Sequence, residues 1–167
     1  MAQKHLNVNI IACVDENNAI GFENELLFKI PEDLKRFREL TFGQPVVMGR
    51  NTWDSIPSKF RPLPFRKNIV VTSRHPDLFP KNVTVISDPD DVLKHCDDTV
   101  WIIGGQQLYR HFIPYASAIF LTKVEKSAAK ADAFFPEFDP SLFDISASPL
   151  RFQDDIAYSY HTYRRKP

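Results

Sequence analysis

One carboxylate in this sequence stands where an apolar side chain belongs. In the run "LLFKIPEDLKRFREL", residues 26–40, Pro31 opens a helical pattern. At about 100° per residue, Leu34, Phe37 and Leu40 fall along one apolar stripe. Asp33 lies on that stripe between Phe37 and Leu40, with no lysine or arginine sharing its face. Glu32, Lys35, Arg36 and Glu39 point elsewhere. Pro31 suits a first helical turn, and acids favour the positive end of a helix, which accounts for Glu32. The same account covers Asp33 only if the apolar stripe begins after the first turn. Otherwise the carboxylate is buried, and a buried carboxylate without a partner is costly. It then calls for a cationic or N–H-rich ligand, with a hydroxyl such as that of Thr122 as a second contact.

Three strand-to-helix junctions carry a second kind of chemistry. In "VVMGRNTW", Gly49 permits close backbone approach, and the helix start at Arg50, Asn51 and Thr52 favours an anion. In "VWIIGGQQLYRHF", Gly104 and Gly105 follow an apolar strand and open a helix carrying Leu108, Tyr109 and Phe112. This is not a G-x-G-x-x-G fingerprint, because Gln106 follows Gly105, and that fingerprint is absent from the chain. In "NIVVTSRH", the hydroxyls of Thr72 and Ser73 beside the Arg74 guanidinium suit a phosphate monoester. In a dinucleotide site, arginine here favours NADP over NAD. Each junction also has an ordinary reading: a capped helix start, a tight glycine turn, a polar loop after a strand. Three in one small domain point to a ligand with several phosphates.

The elements that would position these groups are visible as short β-branched runs. Strands are predicted at 7–14, 45–49, 68–73, 83–86, 100–103 and 118–124, and "IAYSYHTYRR" alternates as an edge strand. Helical patterns cover 31–41, about 51–57, 89–96 and about 105–113. Buried runs separated by helices predict a mainly parallel α/β sheet, and the strand-rich last third adds an antiparallel edge. In such sheets, ligands gather where strands end and helices begin.

The chain has 167 residues, 43% of them hydrophobic, enough for one domain spanning 1–167 with a sizeable core. Fourteen phenylalanines argue against disorder. The net charge is zero, with 21 basic and 21 acidic side chains, so nucleic acid and anionic membranes are poor partners. Cys13 reads as a small core residue, and His95-Cys96 lacks companion ligands, so no metal site is expected. Lys4 and His5 precede a short apolar run that is broken by Asn9 and ended by Asp15, which is not a signal peptide. No segment reaches the length of a membrane span. The expectation is a cytoplasmic protein with reduced thiols.

Taken in order, "IACVDENNAIGFENELLFKIPEDLKRF", "VVMGRNTWDSI", "RPLPFRKNIVVTSR", "WIIGGQQLY", "IFLTKV" and "DAFFPEF" resemble the dihydrofolate reductase family over essentially the whole chain. The resemblance implies an α/β, three-layer fold: a central eight-stranded, mostly parallel sheet with one antiparallel edge strand and four helices. It implies hydride transfer from NADPH to C6 of 7,8-dihydrofolate, with protonation of N5. Asp33 is then the one acid in the pterin pocket, bonding the 2-amino group and N3, and Thr122 joins its network. Ile11, Phe37, Ile56, Leu63, Ile103 and Tyr109 are implied around the substrate, with Arg66 on the glutamate α-carboxylate and Arg61 nearby. Leu26 and Phe28 belong to the active-site loop beside the reacting ring. On the cofactor side, Cys13, Ile20 and Gly21 are implied at the nicotinamide. Gly49, Arg50, Asn51 and Thr52 are implied at the phosphates, and Thr72, Ser73 and Arg74 at the adenosine 2′-phosphate. Gly104, Gly105, Gln106, Gln107, Leu108 and Tyr109 follow along the pyrophosphate, with a cis peptide between the two glycines. The implied partners are dihydrofolate and antifolate-type small molecules, and the implied state is a monomer.

Two departures stand out. The family carries Leu-Pro-Trp or Met-Pro-Trp in its active-site loop, where this chain has Leu26-Leu27-Phe28. A tryptophan N–H there holds a water near the pterin carbonyl, and Phe28 cannot donate that bond. The usual Gly-Asp-Thr of a second loop is Ala131-Asp132-Ala133, in which Asp132 still accepts N–H bonds. Two other readings fit less well: a pteridine or pyrimidine reductase of the same fold, which Asp33 and Arg66 in their contexts oppose, and a non-catalytic nucleotide-binding module.

Overall fold

The computed structural model describes residues 6–167, so Lys4 and His5 lie outside the described residues. In chain order the elements are β1 Asn7–Val14, β2 Ala19–Phe22, β3 Glu25–Leu26, α1 Pro31–Thr41, β4 Val46–Gly49, α2 Arg50–Ser55, β5 Asn68–Val71 and β6 Val83–Ile86. Then come β7 Thr99–Gly104, α3 Gln106–Phe112, β8 Ala118–Val124, β9 Ala133–Phe134, β10 Phe143–Ala147, β11 Arg151–Gln153 and β12 Ile156–Arg165. The helical pattern at 89–96 forms a six-residue 3-10 helix, Pro89–Lys94, of which only Val92 is buried. Alpha-helix α3 stops at Phe112, ahead of Pro114, and continues as a 3-10 turn.

The main sheet runs β10-β12-β8-β1-β7-β4-β5-β6, with β11 paired to the start of β12. Strands β8, β1, β7, β4, β5 and β6 are parallel. Strand β12 runs against both β8 and β10, one place in from the edge. The outer strand β10 buries only Phe143, so no alternation marks it in the sequence. A small second sheet, β3-β2-β9, joins the loop after β1 to the segment after β8. Its strands of two to four residues are too short to show a period.

The central strands are apolar because both sheet faces are covered. Successive side chains point to opposite faces, so Ile10 joins one core cluster with Val47, Ile102 and Ile119. Its neighbour Ile11 joins the other with Val46, Met48 and Trp101.

Helix α1 lies against the sheet with a face slightly rotated from the one predicted. Leu34 is 42% exposed, while Ile30 and Thr41 are buried and Phe37 and Leu40 half-buried. Asp33 does fall on this inward face. Glu32 does more than favour the helix start. Its carboxylate accepts from Arg151 at 2.7 Å and from the Tyr158 hydroxyl at 2.7 Å, tying the first turn of α1 to β11 and β12. Tyr158 is fully buried, so Glu32→Ala takes away the acceptor of a buried hydroxyl. The expected loss is about 1–3 kcal/mol of stability in urea unfolding. Adding Tyr158→Phe to that variant should recover part of it; no recovery would show that the bond is not the source of the loss.

Candidate active site

The parallel strands place the chemistry-bearing residues at their carboxyl ends, as the rule for open α/β sheets requires. Cys13 of β1, Thr122 of β8 and Tyr160 of β12 are directly opposite one another in register, so they share one face of the sheet. Asp33 meets this row from α1. Thr122, itself 2% exposed, donates to the Asp33 carboxylate at 2.5 Å. Burial pushes the Asp33 carboxyl above its ordinary range, while the Thr122 bond and the charge of Arg36 pull it back and Glu32 adds to the rise. Burial raises the Cys13 thiol well above its ordinary value, with Asp33 and Asp15 adding to the effect, so Cys13 packs as a neutral group.

Arg36 corrects the expectation that no cation shares the face of Asp33. Its guanidinium sits half-buried, 4.0 Å over the ring of Tyr160. Phe37, Ile56, Leu63 and Ile103 pack half-exposed on the cluster that contains Ile11. Phe28 and Cys13 pack on the cluster of Ile30, Val124, Tyr158 and Tyr160, and Ile20 packs on the opposite core. Arg66 stands at the far end of α1, where it donates to Thr41 at 3.1 Å and to the Pro64 carbonyl at 2.8 Å. Burial and nearby Arg38 lower its basicity.

Two glycine junctions converge. Gly104 has φ +137°, and a Cβ there would lie 2.8 Å from the Thr52 hydroxyl oxygen. A Cβ on Gly49 would stand 3.8 Å from the Gly105 nitrogen. The Gly104-Gly105 peptide is cis. Tyr109 is buried and donates to the Ile11 carbonyl at 2.8 Å. Arg50 shares Asp54 along α2 at 3.4 Å, and Asn51 is exposed. At the end of β5, the Thr72 hydroxyl accepts from the Arg74 backbone N–H, and Ser73 and Arg74 are exposed.

Several residues expected at a ligand are engaged elsewhere. The Arg61 guanidinium donates to the carbonyls of Trp53 and Ile56 and clamps the end of α2. Leu26 is 65% exposed on β3, pairing through its backbone with Gly21. The Gln106 side chain accepts from the Phe134 N–H and ties α3 to β9. Gln107 is exposed, and Leu108 is a core residue.

Sequence reasoning passed over Arg36, Tyr158, Tyr160 and Asp15. Asp15 is 4% exposed and accepts from the N–H groups of Asn17, Ala19 and Ala128, which pins the active-site loop to the loop after β8. An acid ending an apolar strand was the available signal. Asp132 accepts from the Glu23 N–H at 3.0 Å, as its type allows despite Ala131.

The sequence model of one family, described as dihydrofolate reductase, matches residues 7–165. The chain belongs to the dihydrofolate reductase family. It is 38% identical over 164 residues to a Bacillus subtilis dihydrofolate reductase, covering 95% of each chain. It is 40% identical over 136 residues to that of Neisseria gonorrhoeae, covering 80% of this chain and 82% of the other. Its structure resembles Enterococcus faecalis dihydrofolate reductase complexed with NADP(H) and RAB-propyl, with a TM-score of 0.84 and 32% identity. That match covers 96% of this chain and 97% of the other. Family membership accounts for the mixed central sheet.

The raised Asp33 carboxyl has a consequence for stability. A carboxyl whose pKa is higher folded than unfolded favours folding when protonated, and that advantage is lost as pH rises through the folded value. Asp33→Asn keeps an oxygen acceptor for Thr122 and removes the charge. The ligand-free variant is therefore expected to have a higher Tm than the parent at neutral pH. The difference should close at pH values below the ordinary carboxylate range. A lower Tm at neutral pH would show that the ionised form stabilises the fold.

Proposed function

We propose that this protein is an NADPH-dependent dihydrofolate reductase, converting 7,8-dihydrofolate to 5,6,7,8-tetrahydrofolate. The observation that carries the reading is Asp33: a single carboxylate on an apolar helix face, bonded to the buried Thr122, in a chain of this family. The carboxylate accepts only, so it selects a ring edge that offers two parallel N–H donors, which the 2-amino group and N3 of a pterin provide. The Thr122 bond holds the carboxylate in one orientation, and the half-exposed side chains of Phe37, Ile56, Leu63 and Ile103, packed on the buried Ile11, favour an aromatic ring. Arg66, fixed by Thr41 and Pro64, suits the glutamate carboxylate at the far end of α1.

The chain fits the dinucleotide as well. Gly104 leaves backbone open where a Cβ would crowd Thr52, and Gly49 lies beside Gly105, so Arg50, Asn51, Thr52, Gly104 and Gly105 would hold the phosphates. Thr72, Ser73 and Arg74 would hold the 2′-phosphate. Cys13 and Ile20 would flank the nicotinamide. When bound, the nicotinamide supplies the hydride. Residues of the chain hold the two rings in register and keep water from between them. Asp33 fixes the pterin and assists protonation at N5 indirectly, since its carboxylate faces the other side of the ring system. The reading takes the chain as one catalytic domain, a cytoplasmic monomer acting on small molecules and on neither nucleic acid nor membrane.

Loss of NADPH absorbance on adding dihydrofolate tests the activity; tight NADPH binding with no oxidation would sink it. Asp33→Asn is expected to lose most activity at neutral pH and to retain more at low pH, where the substrate arrives protonated. Parental rates in that variant would remove Asp33 from the mechanism. Arg74→Leu should weaken NADPH binding by about ten- to a hundredfold, the worth of a charge-assisted contact, and leave NADH binding unchanged. Equal loss for both cofactors would move the 2′-phosphate site elsewhere.

A further inference from the structure

We propose that Arg36, stacked on the ring of Tyr160, is a positioning residue that keeps Asp33 ionised for the ring edge it binds. The inference deepens the reading above and rests on Asp33 being the ring-binding carboxylate. Arg36 lies three residues beyond Asp33, a neighbour on the helix surface. A long side chain at an exposed turn would ordinarily wander. Here the guanidinium is held 4.0 Å from the Tyr160 ring centre, well within the range at which an aromatic face attracts a cation. Tyr160 stands opposite Thr122 in register, and Thr122 is the donor to Asp33. The platform that fixes the cation is therefore one strand away from the bond that fixes the carboxylate.

The surrounding charges leave Arg36 free for this role. Facing Asp33 are Cys13 from β1, Thr122 from β8 and Tyr160 from β12, with Glu32 and Arg36 from its own helix. Burial keeps both the Cys13 thiol and the Tyr160 phenol neutral. Glu32 is taken by Arg151 of β11 and by Tyr158, so it does not draw Arg36 away. Arg151 also reaches the Tyr160 ring, at 5.4 Å, but is itself neutralised by Glu32. Arg36 is then the cation whose field favours the Asp33 charge and offsets part of the burial penalty. This matters for binding because a protonated carboxyl can accept only one of two N–H groups while its own proton faces the other. The Tyr160 hydroxyl has no hydrogen-bond partner among the described residues, and it is the ring that Arg36 overlies.

The test is a titration of the Asp33 side-chain carboxyl by carbon-13 NMR in the ligand-free full chain, its resonance assigned by its loss in Asp33→Asn. Arg36→Met and Tyr160→Leu are each expected to raise the midpoint by about half a pH unit or more. Tyr160→Phe keeps the ring and is expected to leave the midpoint in place, with folding unimpaired. The pH dependence of dihydrofolate reduction should move in parallel with the midpoint. An unchanged midpoint in Arg36→Met would overturn the proposal. So would a shift in Tyr160→Phe equal to that in Arg36→Met, which would assign the effect to the hydroxyl. If Tyr160→Leu does not fold, the other two variants decide. Because the titration needs no substrate, a parent protein inactive towards dihydrofolate would sink the functional reading and leave the titration result standing on its own.

Discussion

A carboxylate among apolar side chains must be partnered or protonated, and the hydrogen bond from Thr122 to Asp33 meets that demand before any ligand arrives. Much of the architecture can be understood from this contact. Thr122 is buried in β8, which lies between β1 and β12, so its hydroxyl has few directions in which to point. Helix α1 must cross at a set height for Asp33 to reach it. That height is held by Ile30 packing at the helix start, by Glu32 binding Arg151 and Tyr158, and by Thr41 closing the far end against Arg66. The antiparallel strand β12 is what brings Tyr158, Tyr160 and the partner strand of Arg151 under the first turn of the helix. Without it the parallel core would end at β8, and Glu32 would lose both of its partners.

The cofactor side obeys a different constraint, which is room. Thr52 on α2 and Gly104 at the end of β7 belong to separate strand–helix units, yet a methyl group on Gly104 would collide with the Thr52 hydroxyl. Adjacent parallel strands β4 and β7 bring the two junctions together, with a register shift between Val47 and Met48. The same neighbourhood contains Tyr109, whose hydroxyl is bound to the carbonyl of Ile11 and stands 3.4 Å from where that Cβ would be. Backbone approach and a fixed aromatic wall are thus provided by glycines and one tyrosine, with few charges. Arg50 is shared with Asp54, while Asn51, Ser73 and Arg74 stand exposed.

How far the sequence could be read depended on the range of the interaction. The parallel strands were legible because burial on both faces makes them continuous apolar runs, and all six stand within two residues of where their pattern places them. Asp33 was legible because a helical period exposes a conflict between face and charge. Arg36 was not, since a side chain of that length can swing from its own helical direction onto an aromatic ring 124 positions later, and no period encodes that reach. Glu32 had a sufficient local explanation, which hid its two partners on β11 and β12. Strand β10 was invisible because four of its five side chains are exposed. Arg61 shows another hidden reach: its guanidinium holds two carbonyls at the end of α2, a structural role that no local pattern signals.

The departures in the two loops bear on chemistry more than on anchoring. Phe28 removes an N–H donor from the site, yet its ring packs with Ile30, Tyr158 and Tyr160, so the loop still enters α1 along a fixed path. Ala131 replaces a glycine, yet the Asp132 N–H donates to the Gly21 carbonyl and its carboxylate accepts from Glu23. Asp15 adds three further backbone bonds, two within the turn after β1 and one to the loop after β8. These bonds use backbone N–H groups, which any side chain at 26–28 leaves intact. A loop held by its backbone tolerates change in the side chains it offers to a ligand. On the proposed function, what Phe28 alters is therefore the hydrogen-bonding surface offered to the pterin, and Asp33 with Thr122 is left as the fixed polar pair.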